Sequence, residues 1–212
     1  MVIHLLDLVG VFAFAAYGAR QGIRAGFDSF GVFACAFLTS LGGGSIRELI
    51  LHNQPTYFHN YAYLYAVIGG ATFAMLLNGA FGRLHRPMLV LDAIGLSTFA
   101  LLGAQRASAY GFGLAAMGMF ALLTAVGGGI LTDLVCGRKP AVFMGGFYAA
   151  PALALAVMFF LIGHAAQTQL AALLLISTTI LLRLGGYWWT KKRTHGLGWQ
   201  QPWQTASEQI SS

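Results

Sequence analysis

Two short segments of this 212-residue chain place charged residues and hydroxyl groups directly beside runs of three glycines. The first reads TSLGGGSIREL over residues 39–49, and the second reads TAVGGGILTDL over residues 124–134. Both lie inside long apolar stretches, where charged side chains are rare and usually mark a path for ions or substrates. The residues expected to line such a path are Thr39, Ser40, Gly42, Gly43, Gly44, Arg47, Glu48, Thr124, Gly127, Gly128, Gly129, Thr132 and Asp133.

The glycine triplets predict weak points in the helices that contain them. Glycine costs about 1 kcal/mol relative to alanine inside a helix, and non-helical backbone at membrane depth is tolerated only within protein or beside water. We therefore predict that both triplets bend or break their helices beside a water-lined path. The hydroxyls of Thr39, Ser40 and Thr124, one turn earlier, are placed to bond backbone carbonyls there. The alternative is that the glycines only let two helices cross closely.

Membrane-spanning helices must position these segments. The chain is 58% hydrophobic and only 8% charged, whereas soluble domains carry about 25% charged residues, so a soluble globular protein is excluded. A spanning helix needs about 20 mostly apolar residues. The apolar runs predict an all-α membrane protein with seven spans, at about 4–19, 30–51, 61–82, 88–104, 111–136, 143–164 and 168–189.

Lysine and arginine are distributed unequally between the two predicted sides of the membrane. If the spans alternate, nine of them share one side and only Arg106 lies on the other, while Arg47 and Arg183 fall at membrane depth. Because cytoplasmic loops carry the excess of positive charge, we predict a multi-pass inner (plasma) membrane protein with its N-terminus outside and its C-terminus in the cytoplasm. Arg183 is near enough to the tail to extend toward that surface.

The first half of the chain recurs in the second half. Residues 7–58 align with residues 92–143 without a gap, at a constant offset of 85, and the two glycine triplets coincide. Each copy holds three spans, so the second copy is inverted in the membrane, as in many transporters. The predicted organisation is a first three-helix repeat at 1–84, an inverted repeat at 85–165, a seventh helix at 166–190 and a disordered cytoplasmic tail at 191–212.

The two copies of the motif differ in charge. Arg47 lies in the predicted outer half of span 2, within reach of Asp7 and of the glutamate that follows it, and this ion-pair cluster would narrow or gate the path. In the inner half Thr132 stands where the repeat predicts arginine, so Asp133 and Asp92 would form a net-negative vestibule that concentrates cations. The aspartates that open spans 1 and 4 are equally explained as acids favoured by the helix dipole.

The paired T-x-x-GGG-x-x-[R/T]-[E/D]-L segments in an inverted three-helix repeat resemble the trimeric intracellular cation channel family, bacterial branch, whose older label is a glycine transporter domain. The resemblance spans residues 1 to about 190. It implies a homotrimer in the lipid bilayer, with one pore per protomer that is lined by glycine-kinked spans 2 and 5 and conducts monovalent cations. Glu48 replaces the more usual aspartate and Thr132 an expected arginine, and the second departure weakens any expectation of gating by symmetric arginines.

The residues leave two transport functions open. One is a passive K⁺-permeable channel for monovalent cations, and the other is a secondary carrier for a small neutral solute such as glycine, which would need alternating access. Inverted repeats serve both. No TVGYG-like filter sequence is present, so sharp K⁺ selectivity is not expected.

An enzyme is not expected, because no nucleophile–base pair or metal-ligand spacing is evident. The histidines at His4, His52, His59 and His164 are interpreted as surface residues of the outer side. We expect no metal, no cofactor beyond permeant K⁺ or Na⁺, and no nucleic-acid partner. The two cysteines, Cys35 and Cys136, lie in apolar runs and are predicted to be free thiols.

Overall fold

The computed structural model describes residues 2–77, 85–144 and 147–194. Within these ranges it contains seven α-helices and no strand, which confirms the predicted all-α architecture. The helices are α1 (Val2–Arg24), α2 (Ser29–Ile50), α3 (Ala62–Leu76), α4 (His85–Ala109), α5 (Leu114–Val135), α6 (Ala150–Ile162) and α7 (Gln169–Thr194). The predicted loop residue Arg83 and most of the predicted tail lie outside the described residues.

Four helices, α2, α4, α5 and α7, are long and apolar enough to cross a membrane by themselves. Helices α3 and α6 are apolar but have only 15 and 13 residues, or about 20 Å each at 1.5 Å per residue, against a hydrocarbon core of roughly 30 Å. Helix α6 begins at Ala150, seven residues after the predicted start of its span, with Pro151 in its first turn. Proline suits that position because the first backbone N–H groups of a helix have no internal partner.

The helices repeat with the offset found in the sequence. Both bounds of α2 recur 85 residues later as the bounds of α5, and a short 3-10 helix at Thr56–Phe58 recurs as Ala141–Phe143. The turns before α2 and α5 pass through Gly26 and Gly111, with φ of +76° and +74°. Glycine adopts this left-handed conformation without a steric penalty, so both copies turn in the same way. The inverted 3+3 repeat with an added seventh helix is confirmed.

Each repeat forms a three-helix bundle, and the two bundles meet where α2 crosses α5. Helix α1 also packs against α4, and α7 packs against α4 and α6. The alanines that α1 contributes to the core are almost inaccessible, and small residues let membrane helices approach closely. Asp28 fixes the start of α2, since its Oδ1 accepts from the Gly31 backbone N–H at 2.8 Å.

Candidate functional site

Two cavities lie on the two sides of the α2–α5 crossing. The Glu48 cavity is bordered by Asp7, Ser40, Gly44, Arg47, Glu48 and Thr124, together with other residues of α1, α4 and the segment after α2. The Asp133 cavity is bordered by Tyr17, Thr39, Gly129, Thr132, Asp133 and Tyr148. Each cavity thus combines the glycine and charged residues of one repeat with the threonine of the other.

The two cavities are copies of each other under the repeat. The 85-residue step relates Glu48 to Asp133, Gly44 to Gly129 and Thr39 to Thr124. It also relates Tyr63 to Tyr148, the lining tyrosines that carry the hydrogen bonds described below. The sequence holds this signal, because the tyrosines coincide at the offset that aligns the triplets, although the interpretation above did not single them out.

The arginine and glutamate of the first motif form a buried ion pair. Arg47 donates to Oε1 of Glu48 from Nη2 at 2.6 Å and from Nε at 2.9 Å. Arg106 of α4 reaches the same oxygen at 3.3 Å. The other carboxylate oxygen, Oε2, is buried and has no hydrogen-bond partner among the described residues. Since Glu48 is only 1% exposed and borders the cavity, this oxygen is an acceptor for water or a cation that enters it.

Asp7 is held by a tyrosine rather than by arginine. Tyr63 donates from its hydroxyl to Oδ2 of Asp7 at 2.5 Å, and His4 contacts the same hydroxyl at 3.2 Å. The ion-pair cluster predicted around Arg47 thus forms with Glu48 and not with Asp7, because the guanidinium of Arg47 turns to the glutamate beside it. Asp7 still borders the Glu48 cavity.

Two threonines that border the Asp133 cavity contact each other across the two helices. Oγ1 of Thr39 and Oγ1 of Thr132 are 2.6 Å apart, which joins α2 to α5. Asp133 accepts from the backbone N–H of Ala141 at 2.9 Å and pairs with Arg138 at 3.4 Å. Arg138 is partly exposed, as predicted for a loop residue, although the Nη2 that faces Asp133 is buried and makes no hydrogen bond to it.

Asp92 differs most from the sequence interpretation. Tyr148 donates to its Oδ1 at 2.6 Å, and Arg183 of α7 donates to its Oδ2 from Nη2 at 3.0 Å. The Arg183 guanidinium also lies 4.3 Å from the centre of the Tyr148 ring, a favourable cation–π contact. Arg183 and Asp92 are 6% and 2% exposed. The expectation that Arg183 extends to the membrane surface is thus wrong, as is the expectation that Asp92 adds an unpaired negative charge to a vestibule beside Asp133.

The glycine triplets do not interrupt their helices, so the predicted break is wrong. Helices α2 and α5 run continuously through residues 42–44 and 127–129. A Cβ atom at Gly43 would overlap the Thr124 carbonyl, and one at Gly128 would overlap the Thr39 carbonyl. The triplets therefore let the two backbones touch at the crossing, while Gly44 and Gly129 border the cavities. Gly42 and Gly127 each lie beside a glycine Cα of the opposite helix.

The hydroxyls before the triplets bond carbonyls, as predicted, but within regular helix. Thr39 donates to the Cys35 carbonyl at 2.8 Å, and Ser40 to that of Ala36 at 2.7 Å. Thr124 bonds the Phe120 carbonyl in the same way at 2.7 Å. Each hydroxyl is thereby satisfied inside its own helix while its side chain borders a cavity.

The cavities are small and separate. The Glu48 cavity offers water-sized molecules about 50 Å³, and the Asp133 cavity about 10 Å³. One water needs about 10–15 Å³ by this measure, so the first holds a few waters and the second about one. None of the residues that border one cavity borders the other. The described residues also bring together no group of three or more histidines, cysteines and acids that could hold a metal ion.

Comparison with known families detects the same internal repeat. A family model described as "Glycine transporter" matches residues 4–79 and again residues 89–164. A UPF0126 membrane protein of Deinococcus radiodurans is 38% identical over 141 residues, which is 66% of each chain.

Solved structures share the whole fold. The TRIC trimeric intracellular cation channel orthologue of Rhodobacter sphaeroides is 33% identical, with a TM-score of 0.81 over 89% of this chain and 98% of that one. A prokaryotic TRIC channel crystallised in 0.5 M KCl is 27% identical, with a TM-score of 0.82 over 90% and 98% of the two chains. These similarities cover both bundles and the cavities between them.

Proposed function

Because this chain belongs to the membrane protein family that the glycine transporter model describes, and shares its fold with TRIC cation channels, we propose that it is a channel for monovalent cations. The permeant ions are K⁺ and Na⁺, with K⁺ preferred only modestly. Each protomer of a homotrimer holds one pore, lined by α2 and α5. The channel works without a catalytic step or a cofactor.

The observation that carries this proposal is the pair of repeat-related cavities on the two sides of the α2–α5 crossing. Carboxylates border both, Asp7 and Glu48 on one side and Asp133 on the other, and hydroxyls of Thr39 and Thr124 flank the crossing. Acidic side chains attract cations into a pore, and hydroxyl oxygens replace part of the lost hydration shell. Buried acids in a membrane otherwise have little reason to border water.

The conformation described above corresponds to a closed channel. The cavities are separated by the backbone contacts of Gly43 and Gly128 and by the Thr39–Thr132 bond. Conduction requires α2 and α5 to part on the Asp133 side, which breaks the threonine bond and joins the two water-filled spaces. The unequal lysine and arginine counts support an inner-membrane location with the Glu48 cavity facing outward and the Asp133 cavity facing the cytoplasm.

One observation favours the second candidate, a carrier for a small neutral solute such as glycine. Two symmetric cavities that do not connect are what alternating access requires, because only one side opens at a time. The Glu48 cavity also contains a guanidinium and carboxylates, the groups that bind an amino acid zwitterion.

Two measurements on one purified preparation separate the candidates. Planar bilayers bathed in unequal KCl concentrations should show discrete single-channel steps that reverse near the K⁺ potential. Liposomes of the same protein should take up radiolabelled glycine no faster than protein-free liposomes. Saturable glycine uptake without current steps would mean that the protein is a carrier and not a channel.

A further inference from the structure

The only two cysteines of the chain meet at the Asp133 end of the α2–α5 crossing. Cys35 lies in α2 and Cys136 directly follows α5, 101 residues later, and their Sγ atoms are 3.9 Å apart. Both are free thiols. We propose that this pair is a redox-sensitive dithiol, and that a two-electron oxidant of the peroxide class converts it to a disulfide that locks α2 against α5.

The geometry needs little change for the bond to form. Bonded sulfurs are about 2.05 Å apart, so the two Sγ atoms must approach by roughly 2 Å, a distance within the range of side-chain rotation on adjoining helices. The helices are already joined here, since Thr132 donates to the Cys35 carbonyl at 3.4 Å and contacts Thr39 at 2.6 Å.

The two thiols have distinct roles in the oxidation because they differ in exposure. Cys35 is fully buried, whereas Cys136 is partly exposed. The Cys136 sulfur attacks hydrogen peroxide, the O–O bond breaks, and one water leaves as the sulfur becomes a sulfenic acid. The Cys35 sulfur then attacks that sulfur, the S–S bond forms, and the sulfenic oxygen leaves as a second water. Two thiols and one peroxide thus yield one disulfide and two waters.

The position of the pair determines what the disulfide would do. Cys35 lies eight residues before Gly43, and Cys136 lies eight residues after Gly128, so each is about 12 Å along its helix from the crossing. One turn closer to the crossing, the Thr39–Thr132 bond joins the two helices at the edge of the Asp133 cavity. A covalent link beyond that bond keeps the two helices together where the pore has to widen. This consequence for flux rests on the proposed channel function, whereas the thiol chemistry does not.

The other half of the molecule lacks this device. The repeat places Phe120 opposite Cys35 and Leu51 opposite Cys136, and both are buried apolar residues. Only one end of the crossing is therefore oxidisable. On the side assigned to the cytoplasm, the glutathione pool keeps thiols reduced. The two cysteines are therefore free thiols under ordinary conditions and form the disulfide only when an oxidant is present.

Thiol counting tests the chemistry on the full-length protein. The reduced protein, freed of reductant, is treated with hydrogen peroxide, denatured, alkylated with a maleimide and weighed intact. Two adducts before oxidation and none after, with a chain that still migrates as a single polypeptide, are expected. The Cys35→Ala and Cys136→Ala variants each retain one cysteine, which has no second cysteine in the same chain with which to form a disulfide. Retention of both thiols in the oxidised wild type, or a cross-link between two chains, overturns the proposal.

Flux measurement tests the consequence. K⁺ flux from liposomes should be lost on oxidation and restored by a thiol reductant, while both alanine variants keep their flux in peroxide. If the disulfide forms and flux persists, the disulfide does not block the pore, although the cysteine pair is still redox-sensitive. If no preparation conducts K⁺ even when reduced, the proposed channel function fails, and the thiol count alone still decides whether the disulfide forms.

Discussion

Gly43 of α2 and Gly128 of α5 make reciprocal contacts, each against a backbone carbonyl of the other helix. A side chain at Gly43 would overlap the carbonyl of Thr124, and one at Gly128 would overlap that of Thr39. A backbone carbonyl inside a helix cannot turn aside as the end of a flexible side chain does. The two cavities are therefore separated here by backbone atoms, and the distance between the two helices depends on the absence of a Cβ atom at both glycines.

Gly43→Ala and Gly128→Ala should each destabilise the protein by about 1–3 kcal/mol, the usual cost of overfilling a packed contact. The added methyl group forces α2 and α5 apart, so we expect altered K⁺ flux as well. Thermal unfolding in detergent and liposome flux measure the two effects.

Gly129→Ala is the matched control in the same triplet. A Cβ atom there meets nothing within 4 Å, and alanine is the better helix former by about 1 kcal/mol. This variant should be at least as stable as the wild type. Equal destabilisation of all three variants would mean that the cost does not come from the close backbone contacts of Gly43 and Gly128 at the crossing.

Arg183→Gln should destabilise the protein by about 3–5 kcal/mol, since removing one partner of a buried ion pair leaves the other charge uncompensated. Arg183 pairs with Asp92 at 3.0 Å, and both are buried. Adding Asp92→Asn should recover part of the loss. Unfolding midpoints of the two single variants and the double variant measure the coupling, and strictly additive effects would speak against a direct pair.

Asp133→Asn should reduce the preference for cations over anions, read as a shift of the reversal potential in a KCl gradient. Asp133 borders its cavity, and Arg138, 3.4 Å away, donates its hydrogen bond to Gln21 rather than to this carboxylate, so the acid still attracts cations. Asp92→Asn should leave the potential unchanged, because neither Asp92 nor its partner Arg183 borders either cavity. A shift caused by Asp92→Asn alone would reverse these assignments.

Glu48→Gln should lower single-channel conductance. Glu48 neutralises Arg47 within the cavity, and without it the guanidinium repels an entering cation across a poorly screened distance. Arg47→Ala should have the opposite effect and raise cation flux, with Arg106 still available to the glutamate. Recordings of both variants at the same voltage are sufficient, and conductance changes of one sign in both would contradict this electrostatic role.

The topology predicts opposite labelling of two loops. In a background with Cys35→Ala and Cys136→Ala, a cysteine at exposed Gln54 should react with an impermeant maleimide added to intact cells. A cysteine at exposed Ala25, in the turn between α1 and α2, should react only after the membrane is opened. The reverse pattern would invert the protein in the membrane and exchange the assigned sides of the two cavities.

The repeat and the bounds of α2 could be predicted because their signals are local, whereas other bounds, such as the start of α6, were missed by several residues. Helix α2 was expected at 30–51 and is found at Ser29–Ile50. Its apolar run gives its length, and the capping residue Asp28 and the preceding Gly26 mark its start. The triplet at 42–44 misled the prediction because glycine weakens an isolated helix, whereas here the contact with α5 stabilises it. Whether a glycine breaks a helix depends on a neighbour that sequence spacing does not reveal.

The tyrosine partners of Asp7 and Asp92 could not be predicted, because sequence spacing does not reveal these contacts either. Asp7 and Tyr63 are 56 residues apart, and so are Asp92 and Tyr148. Each tyrosine lies in an apolar stretch and looks like core or interface on its own. The seventh helix has no counterpart in the repeat, so no internal comparison could place Arg183 beside Asp92.

That last pair has a consequence for how the chain is made. Asp92 enters the bilayer with α4, whereas Arg183 is synthesised 91 residues later, and chains emerge from the ribosome N-terminus first. Of its two partners, the Tyr148 hydroxyl is therefore available to Asp92 before the Arg183 guanidinium. An uncompensated acid in hydrocarbon is costly, so the synthesis of α7 completes the charge balance that α4 requires within the membrane.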